Sequence, residues 1–119
     1  MNTLYRFANT AFGKFIIRIL FTKASFMLPV KRLRETETLI AFQHPKPSYP
    51  VHILLMPKLA TPNLQALDVN DPAFLADLFK AAQSLVEEFG LAEKGYRLIV
   101  NGGEYQDFPH LHFHLVSDM

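Results

Sequence analysis

Three histidines, His110, His112 and His114, alternate with apolar residues near the C-terminal end of the chain. Successive side chains of a β-strand point to opposite faces of the sheet. The spacing therefore predicts a strand over residues 110–116, with three imidazoles on one face and the intervening apolar side chains facing a core.

Three imidazoles on one face are compatible with three kinds of site. In the first, a neutral imidazole attacks phosphorus, and its neighbours bind phosphate oxygens and protonate the leaving group. In the second, three histidines and water form a catalytic zinc site, with His44, His52, Glu104 and Asp107 as further candidate ligands. In the third, the strand face is exposed and simply rich in histidine. The spacing alone leaves all three open.

A polar loop precedes the histidines and favours phosphate chemistry. Gly102 and Gly103 can bring backbone N–H groups close to an anion. Asn101 and Gln106 flank these glycines and can donate amide hydrogen bonds. Two adjacent glycines are a weak signal alone, so the loop supports the prediction without establishing it.

The composition predicts one domain with a substantial core. The chain has 119 residues, half of them hydrophobic, and no cysteine. The lack of cysteine excludes disulfides, thiolate zinc sites and cysteine nucleophiles. Residues 1–34 carry seven basic residues and no acid, whereas residues 35–119 carry five basic residues and eleven acids. We therefore expect the two segments to face different surroundings.

The basic N-terminal segment has helical apolar spacing over residues 5–21. Lys14, Arg18 and Lys23 interrupt it, so no run approaches the ~20 apolar residues that a membrane span needs. No signal-peptide core is evident, and we expect a cytoplasmic protein. We interpret residues 1–28 as an amphipathic helical extension that packs on its own domain or a partner subunit. Binding to an anionic membrane surface and a frayed terminus are the alternatives.

The remaining chain predicts about five strands and one long helix. We expect strands over residues 30–34, 38–43, 51–56, 96–100 and 110–116. The helix spans residues 72–89, with Asp71 as N-cap, Pro72 at the first position and Gly90 as the C-terminal cap. Its predicted buried stripe is Phe74, Leu75, Leu78, Phe79, Ala82, Leu85, Val86 and Phe89. Strands on both sides of one helix indicate an α+β fold with a mainly antiparallel sheet.

Residues 29–119 resemble the histidine triad family. The segment His110–Val116 fits the family signature His-φ-His-φ-His-φ-φ, with φ apolar, at all seven positions. Residues 29–42 resemble the first two strands of the family, which end in an Ala-Phe pair. Residues 50–58 and 96–101 resemble its Pro-x-His-φ-φ-φ-φ-Pro-Lys strand and the strand before the active-site loop.

The resemblance implies a homodimer with one continuous sheet. It also implies hydrolysis or transfer at the α-phosphorus of nucleoside phosphoramidates or dinucleoside polyphosphates, with a purine nucleoside phosphate as substrate and no cofactor or metal in the reaction. By position, His112 is similar to the nucleophile that forms a nucleotidyl-histidine. His110 is similar to the residue that binds the phosphate, and His114 to the one that assists the leaving group. Asn101 and Gln106 match polar residues near the phosphate.

The resemblance also suggests a substrate-binding set. His52 matches an accessory fourth histidine, while Ile40, Phe42 and Leu54 are expected either to line the base pocket or to belong to the core. His44 stands where the family often has an acid that holds the ribose hydroxyls. A neutral imidazole cannot accept from both hydroxyls as a carboxylate does.

Departures from the family leave two other functions open. The chain lacks the Cys-x-x-Cys segment of many bacterial members, so we expect no structural zinc site. The substitution at His44 motivates a nucleotide- or protein-binding module with little turnover. A metal-dependent hydrolase that uses the same histidines is the other alternative. We expect no specific nucleic-acid partner, because no DNA-binding module is evident beyond the basic N-terminal segment.

Overall fold

The computed structural model describes residues 31–118, which form a five-stranded sheet in the order β1-β2-β3-β5-β4. All of its neighbouring strands are antiparallel. The strands are β1 (Arg32–Glu35), β2 (Leu39–Gln43), β3 (Val51–Pro57), β4 (Arg97–Val100) and β5 (Phe113–Ser117). The predicted α+β class with a mainly antiparallel sheet is confirmed. The predicted N-terminal helix lies outside the described residues.

The long predicted helix is α1 (Pro72–Glu88), and a short second helix, α2 (Leu91–Lys94), follows it. The Asp71 side chain accepts a hydrogen bond from the backbone N–H of Ala73, and Pro72 occupies the first turn. Gly90 has φ +65°, a left-handed conformation that glycine adopts without penalty. This turn ends α1 and begins α2, which the sequence analysis did not predict. Within residues 31–118 no helix is both long and apolar enough to cross a membrane.

Helix α1 packs on one face of the sheet and closes the hydrophobic core. Its buried residues are Phe74, Leu78, Ala81, Ala82 and Leu85. Phe79 was wrongly placed in this stripe, because its side chain is 54% exposed. One residue turns a helix by about 100°, so Phe79 leaves the face that carries Leu78. Ala81 contributes to the core instead.

A polar contact fastens the β1–β2 hairpin to α1. The hydroxyl groups of Thr36 and Thr38 donate to Asp77 Oδ2 at 2.9 and 2.7 Å. These hydrogen bonds hold the pKa of the Asp77 carboxyl below its usual value. Arg34 donates to Ser84 Oγ and Glu88 Oε1 at 2.9 and 2.7 Å. The α1 face of the sheet is thereby fixed, and the histidines of the sheet lie on the opposite face.

The last strand begins at Phe113 rather than at His110, which corrects the predicted boundary. The backbone N–H of His110 donates to the carbonyl of Phe108, and that of Leu111 donates to the carbonyl of Thr61. These loop contacts replace strand pairing, so His110 and His112 precede β5. The predicted alternation still holds on the core side, where Leu111, Phe113 and Leu115 are all in the hydrophobic cluster.

Candidate active site

The candidate active site lies on the sheet face opposite α1. In the strand register, His114 of β5 lies beside Leu54 of β3 and Ile99 of β4. His52 is two residues before Leu54 and therefore shares this face. His112 directly precedes β5, two residues from His114. The sheet thus positions two histidines directly, and the segment entering β5 positions the third.

Four imidazoles form a contiguous cluster on this face. The ring centroids lie 4.4 Å apart for His44 and His52, 5.2 Å for His52 and His114, and 4.9 Å for His112 and His114. The sequence predicted three clustered histidines, and His110 was expected among them. His110 instead directs Nε2 to the carbonyl oxygen of Pro57 at 2.9 Å.

Burial keeps these imidazoles neutral. It lowers the pKa of His44, His112 and His114 to about 4, and neighbouring histidines add electrostatic repulsion against a second positive charge. Burial also lowers the pKa values of His52 and His110. At neutral pH each ring therefore carries one proton, on one of its two nitrogens.

The hydrogen bonds assign the protons of His52 and His114. The backbone N–H of Ser48 donates to Nδ1 of His52 at 3.1 Å, so the proton of a neutral His52 is on Nε2. That nitrogen lies 2.9 Å from Nδ1 of His114 and donates to it. The proton of His114 is therefore on Nε2. This buried N–H has no hydrogen-bond partner within residues 31–118.

The hydrogen bond of His112 assigns it the opposite tautomer. Its Nδ1 lies 2.7 Å from the carbonyl oxygen of His110, and only an N–H can bond to a carbonyl. The lone pair of His112 is therefore on Nε2. The two neighbouring rings present complementary atoms, a nucleophilic nitrogen from His112 and a hydrogen-bond donor from His114.

The ring of His110 makes its hydrogen bond to the backbone of β3. Because its Nε2–H donates to Pro57, its Nδ1 carries a lone pair and no proton. A neutral ring in this state has no free N–H for a phosphate oxygen, and the phosphate-binding role of His110 stays a prediction. Its carbonyl oxygen fixes the tautomer of His112.

The pairing of β2 with β3 brings His44 into the cluster. The register that pairs Gln43 with Ile53 places His44 opposite His52, and the backbone N–H of His44 donates to the carbonyl oxygen of His52 at 2.8 Å. A proline-rich loop over residues 44–50 begins at this pair. The backbone N–H of Lys46 donates to Nδ1 of His44 at 2.9 Å, as that of Ser48 does to His52. Tyr49 packs its ring against the ring of His52, with centroids 5.5 Å apart. Backbone donors of one loop thus set the tautomers of two imidazoles.

A cavity of about 490 Å³ opens beside the cluster. Its lining residues are His44, Lys46, Ser48, Tyr49, His52, Ile99, Asn101, Asp107, His114 and Val116. The sequence analysis missed Lys46, Ser48, Tyr49, Ile99 and Val116. Strand alternation could have found Val116, which is two residues after His114, whereas Lys46 and Tyr49 depend on the path of the loop.

Of the other expected site residues, one lines the cavity and the rest lie outside it. Asn101 lines the cavity. Gln106 does not, because its amide nitrogen donates to the carbonyl oxygens of Pro62 and Phe108 at 2.7 and 2.9 Å. Both amide protons are thus used in this structure, and the assignment of Gln106 to the surroundings of the phosphate and the middle histidine stays a prediction. Ile40, Phe42 and Leu54 are fully buried on the histidine face and do not line this cavity.

The metal alternative gains no support from the geometry. Within the described part of the chain, no group of three or more His, Asp or Glu side chains has an arrangement that could hold a metal ion. Both ring nitrogens of His52 are used in hydrogen bonds. The arrangement is suited to nucleophilic chemistry by neutral imidazoles.

Comparisons with known proteins agree with this geometry. The family model described as HIT domain matches residues 26–119. An uncharacterized 13.2 kDa HIT-like protein of Azospirillum brasilense is 38% identical over 93 residues, which cover 76% of each chain. The purine nucleoside phosphoramidase of Escherichia coli is 30% identical over 92 residues, which cover 76% of this chain and 77% of the enzyme. A solved HIT family hydrolase from Clostridium thermocellum superposes with a TM-score of 0.72 at 36% identity, covering 86% and 87% of the two chains.

Buried neutral histidines predict a loss of stability in mild acid. In the unfolded chain histidines titrate near pH 6.5, whereas three of the cluster titrate at about 4 when folded. Between these values the unfolded state binds more protons, so the free energy of unfolding should fall as the pH falls from 6.5 to 5. Each histidine contributes at most about 1.4 kcal/mol per pH unit. Urea unfolding at several pH values measures this change.

The matched control is His112→Asn, which removes one titrating ring and should make the decline shallower. Carboxyl groups stay largely ionised above pH 5 and contribute little in this window. An unfolding free energy that stays constant from pH 7 to 5 would contradict the buried, neutral cluster.

Proposed function

Because this chain belongs to the HIT domain family, we propose that it is a nucleotide hydrolase or transferase. It acts at the α-phosphorus of purine nucleoside phosphoramidates or dinucleoside polyphosphates, through a nucleotidyl-histidine on His112. The similarity to a HIT family hydrolase and to a purine nucleoside phosphoramidase supports this class of reaction. The cavity beside the histidines has the volume of a small-molecule site.

The complementary tautomers of His112 and His114 carry the proposal. Nε2 of His112 has a lone pair and makes no hydrogen bond within residues 31–118, so no protein donor competes for it. His112 itself is 3% exposed and reaches the cavity through its neighbour His114 rather than as a lining residue. Nε2–H of His114 is a buried donor without a partner in the same part of the chain. Their ring centroids are 4.9 Å apart. A phosphoryl group between them would meet a nucleophile on one atom and a hydrogen-bond donor on another.

In the first step, Nε2 of His112 forms a bond to the α-phosphorus and the bond from phosphorus to the leaving nitrogen or oxygen breaks. The leaving atom departs with the electron pair. A bound phosphate anion raises the pKa of nearby imidazoles and allows the cluster to hold one additional proton. The additional proton is held by His52, whose Nε2–H donates to Nδ1 of His114. As Nε2–H of His114 passes to the leaving atom, the Nε2 proton of His52 moves to Nδ1 of His114, so both rings end neutral.

In the second step, water attacks the phosphorus of the nucleotidyl-histidine. The N–P bond breaks, and its electron pair returns to Nε2 of His112. One proton of the water returns to the imidazole cluster, and the nucleoside monophosphate leaves. The cluster then has the proton count with which it began, so no metal or other co-reactant enters the balance. Asn101 and Lys46, which line the cavity, are suited to bind the phosphate and its neighbouring groups.

The polar lining of the cavity indicates which part of the substrate binds there. Asp107 and Lys46 place one acid and one base beside the imidazoles. His44 is part of the hydrogen-bonded cluster rather than a carboxylate facing a sugar. We infer that the phosphate end of the substrate is recognised here. The roles of Ile40, Phe42 and Leu54 in a base pocket stay a prediction.

The chain should also form a homodimer through the free edge of β4. This strand pairs only with β5 in the described part of the chain. Tyr96 and Val100 at its two ends are 50% and 36% exposed. An unpaired edge with apolar side chains is a template for another strand. A second copy bound there about a twofold axis would extend the sheet across both subunits.

Replacing the nucleophile tests the proposed reaction. In His112→Asn, we expect hydrolysis of adenosine 5′-phosphoramidate to fall by about 10³-fold or more, because no other nitrogen replaces Nε2. The control is Gln83→Ala, at an exposed position of α1, which should keep full activity. Product release measured by chromatography gives both rates.

Each alternative function predicts a different result. Equal rates for His112→Asn and the unsubstituted protein would reject the nucleotidyl-histidine mechanism. Nucleotide binding without any product would support the binding module. Loss of activity in chelator, restored by added metal, would support a metal-dependent hydrolase.

A charge at the β4 edge tests the dimer. Val100→Arg should convert the dimer to a monomer, because its charge would be buried against the partner strand. Val69→Arg is the control, since Val69 is 71% exposed in the loop before α1. Light scattering measures both masses. A dimeric Val100→Arg protein, or a monomeric unsubstituted protein, would contradict the proposed interface.

A further inference from the structure

The ring of Phe108 lies flat against the ring of His112. Their centroids are 4.0 Å apart and the ring planes differ by 9°. The two residues are only 2% and 3% exposed, so water is excluded from the stack. This is the closest ring contact of His112, and the reaction described above does not use it.

The stack is held in place by the backbone of the loop. The carbonyl oxygen of Phe108 accepts hydrogen bonds from the amide of Gln106 and the backbone N–H of His110, each at 2.9 Å. Gln106 also donates to the carbonyl oxygen of Pro62 at 2.7 Å. The segment that carries Phe108 is thereby fixed against the start of β5, and its buried ring packs on His112 from there.

The charge of His112 changes when its bond to phosphorus forms. The ring keeps its proton on Nδ1 and gains phosphorus on Nε2, so the neutral imidazole becomes a cation. Burial opposes that charge, as the lowered pKa of His112 shows. The carbonyl oxygen of His110 accepts a hydrogen bond from Nδ1–H of His112 in the plane of the ring. This hydrogen bond becomes stronger as the positive charge develops. That hydrogen bond does not reach the face of the ring, so a different kind of partner is needed to stabilise the charge there.

An aromatic face can supply that partner. The π-system of phenylalanine carries negative charge density on its face and attracts a cation within about 6 Å. Phe108 lies inside this distance, in a desolvated site where such an attraction is strongest. Neutral imidazole gains much less from the same face. The stack therefore favours the charged ring over the uncharged one.

We propose that Phe108 is a positioning residue that orients His112 and stabilises the cationic ring of the nucleotidyl-histidine through its π face. This inference rests on the proposed function, in which His112 is the nucleophile. Phe108 would accelerate the first step through His112, without touching the nucleotide.

The test compares Phe108→Leu, which removes the π face but stays apolar, with Phe108→Tyr, which keeps it. Rapid mixing with adenosine 5′-phosphoramidate measures leaving-group release in the first turnover. We expect Phe108→Leu to slow this step about three- to thirtyfold. Phe108→Tyr should stay within about twofold of the unsubstituted protein. Binding of adenosine monophosphate, measured by calorimetry, should be unchanged in both, and circular dichroism checks that both fold.

The variants separate a stabilised cation from simple packing. Equal first-turnover rates for Phe108→Leu and the unsubstituted protein would overturn the proposal. Phe108→Tyr slowed as much as Phe108→Leu would overturn it as well, since the ring would then act only through its fit.

A nucleotide-free measurement separates failure of this inference from failure of the proposed function. NMR titration of the His112 ring from pH 7 to pH 3, past its pKa of about 4, reports the imidazolium directly, and the dispersion of the amide signals checks at each pH that the protein is folded. Phe108→Leu should lower the pKa of His112 by about 0.5 to 1 unit, and Phe108→Tyr should not. If the unsubstituted protein releases no leaving group, the proposed function fails, while this titration still decides whether Phe108 stabilises the charged ring. An unchanged His112 pKa in Phe108→Leu would overturn the inference.

Discussion

Burial of the imidazole cluster is the constraint on which the chemistry of this protein depends. Largely removed from water, the rings lose the cationic form at neutral pH, and each keeps a single proton. The surrounding hydrogen bonds then decide which nitrogen holds it. A backbone N–H at His52 and a backbone carbonyl at His112 give opposite results in adjacent parts of the cluster. Neutral rings with fixed tautomers present an unprotonated nitrogen on His112 and an N–H donor on His114.

The fold provides that burial because one face of the sheet forms the core and the other carries the histidines. Helix α1 and the apolar residues beneath it form the core on one face. Polar contacts to Asp77 and Glu88 fasten the helix to the β1–β2 hairpin. The opposite face carries His52 and His114 on neighbouring central strands, where the backbone is held by hydrogen bonds on both sides. Rigid strands are suited to hold reacting groups at the distances that catalysis needs.

Sequence periodicity predicted most of this arrangement. Alternation placed Leu111, Phe113 and Leu115 in the core, and the capping residues located α1 to within one residue. The seven-position histidine motif identified the family that the comparisons also found. These features are local, because a strand or helix expresses its pattern over a few neighbouring residues. Phe79 shows the limit of the method, since an apolar residue beside a buried stripe can still face solvent.

Contacts between distant segments were not predictable in the same way. His44 joins the cluster because the β2–β3 register places it opposite His52, and the spacing within one strand does not give the register between two. The amide of Gln106 looked available for phosphate, but two backbone carbonyls occupy it. His110 matched a phosphate-binding position, yet its Nε2–H donates to the carbonyl oxygen of Pro57. In each case the hydrogen-bond partner, which only the folded chain reveals, determined what the side chain can do.

The chemistry proposed for the cluster depends on the tautomers of His112 and His114, and ¹⁵N NMR of the imidazole nitrogens tests these tautomers most directly. At pH 7, the chemical shifts should show Nε2 of His112 without a proton and Nε2 of His114 with one. Mutual couplings within each ring assign the two nitrogens. A protonated Nε2 on His112, or a doubly protonated ring at either residue, would contradict the account.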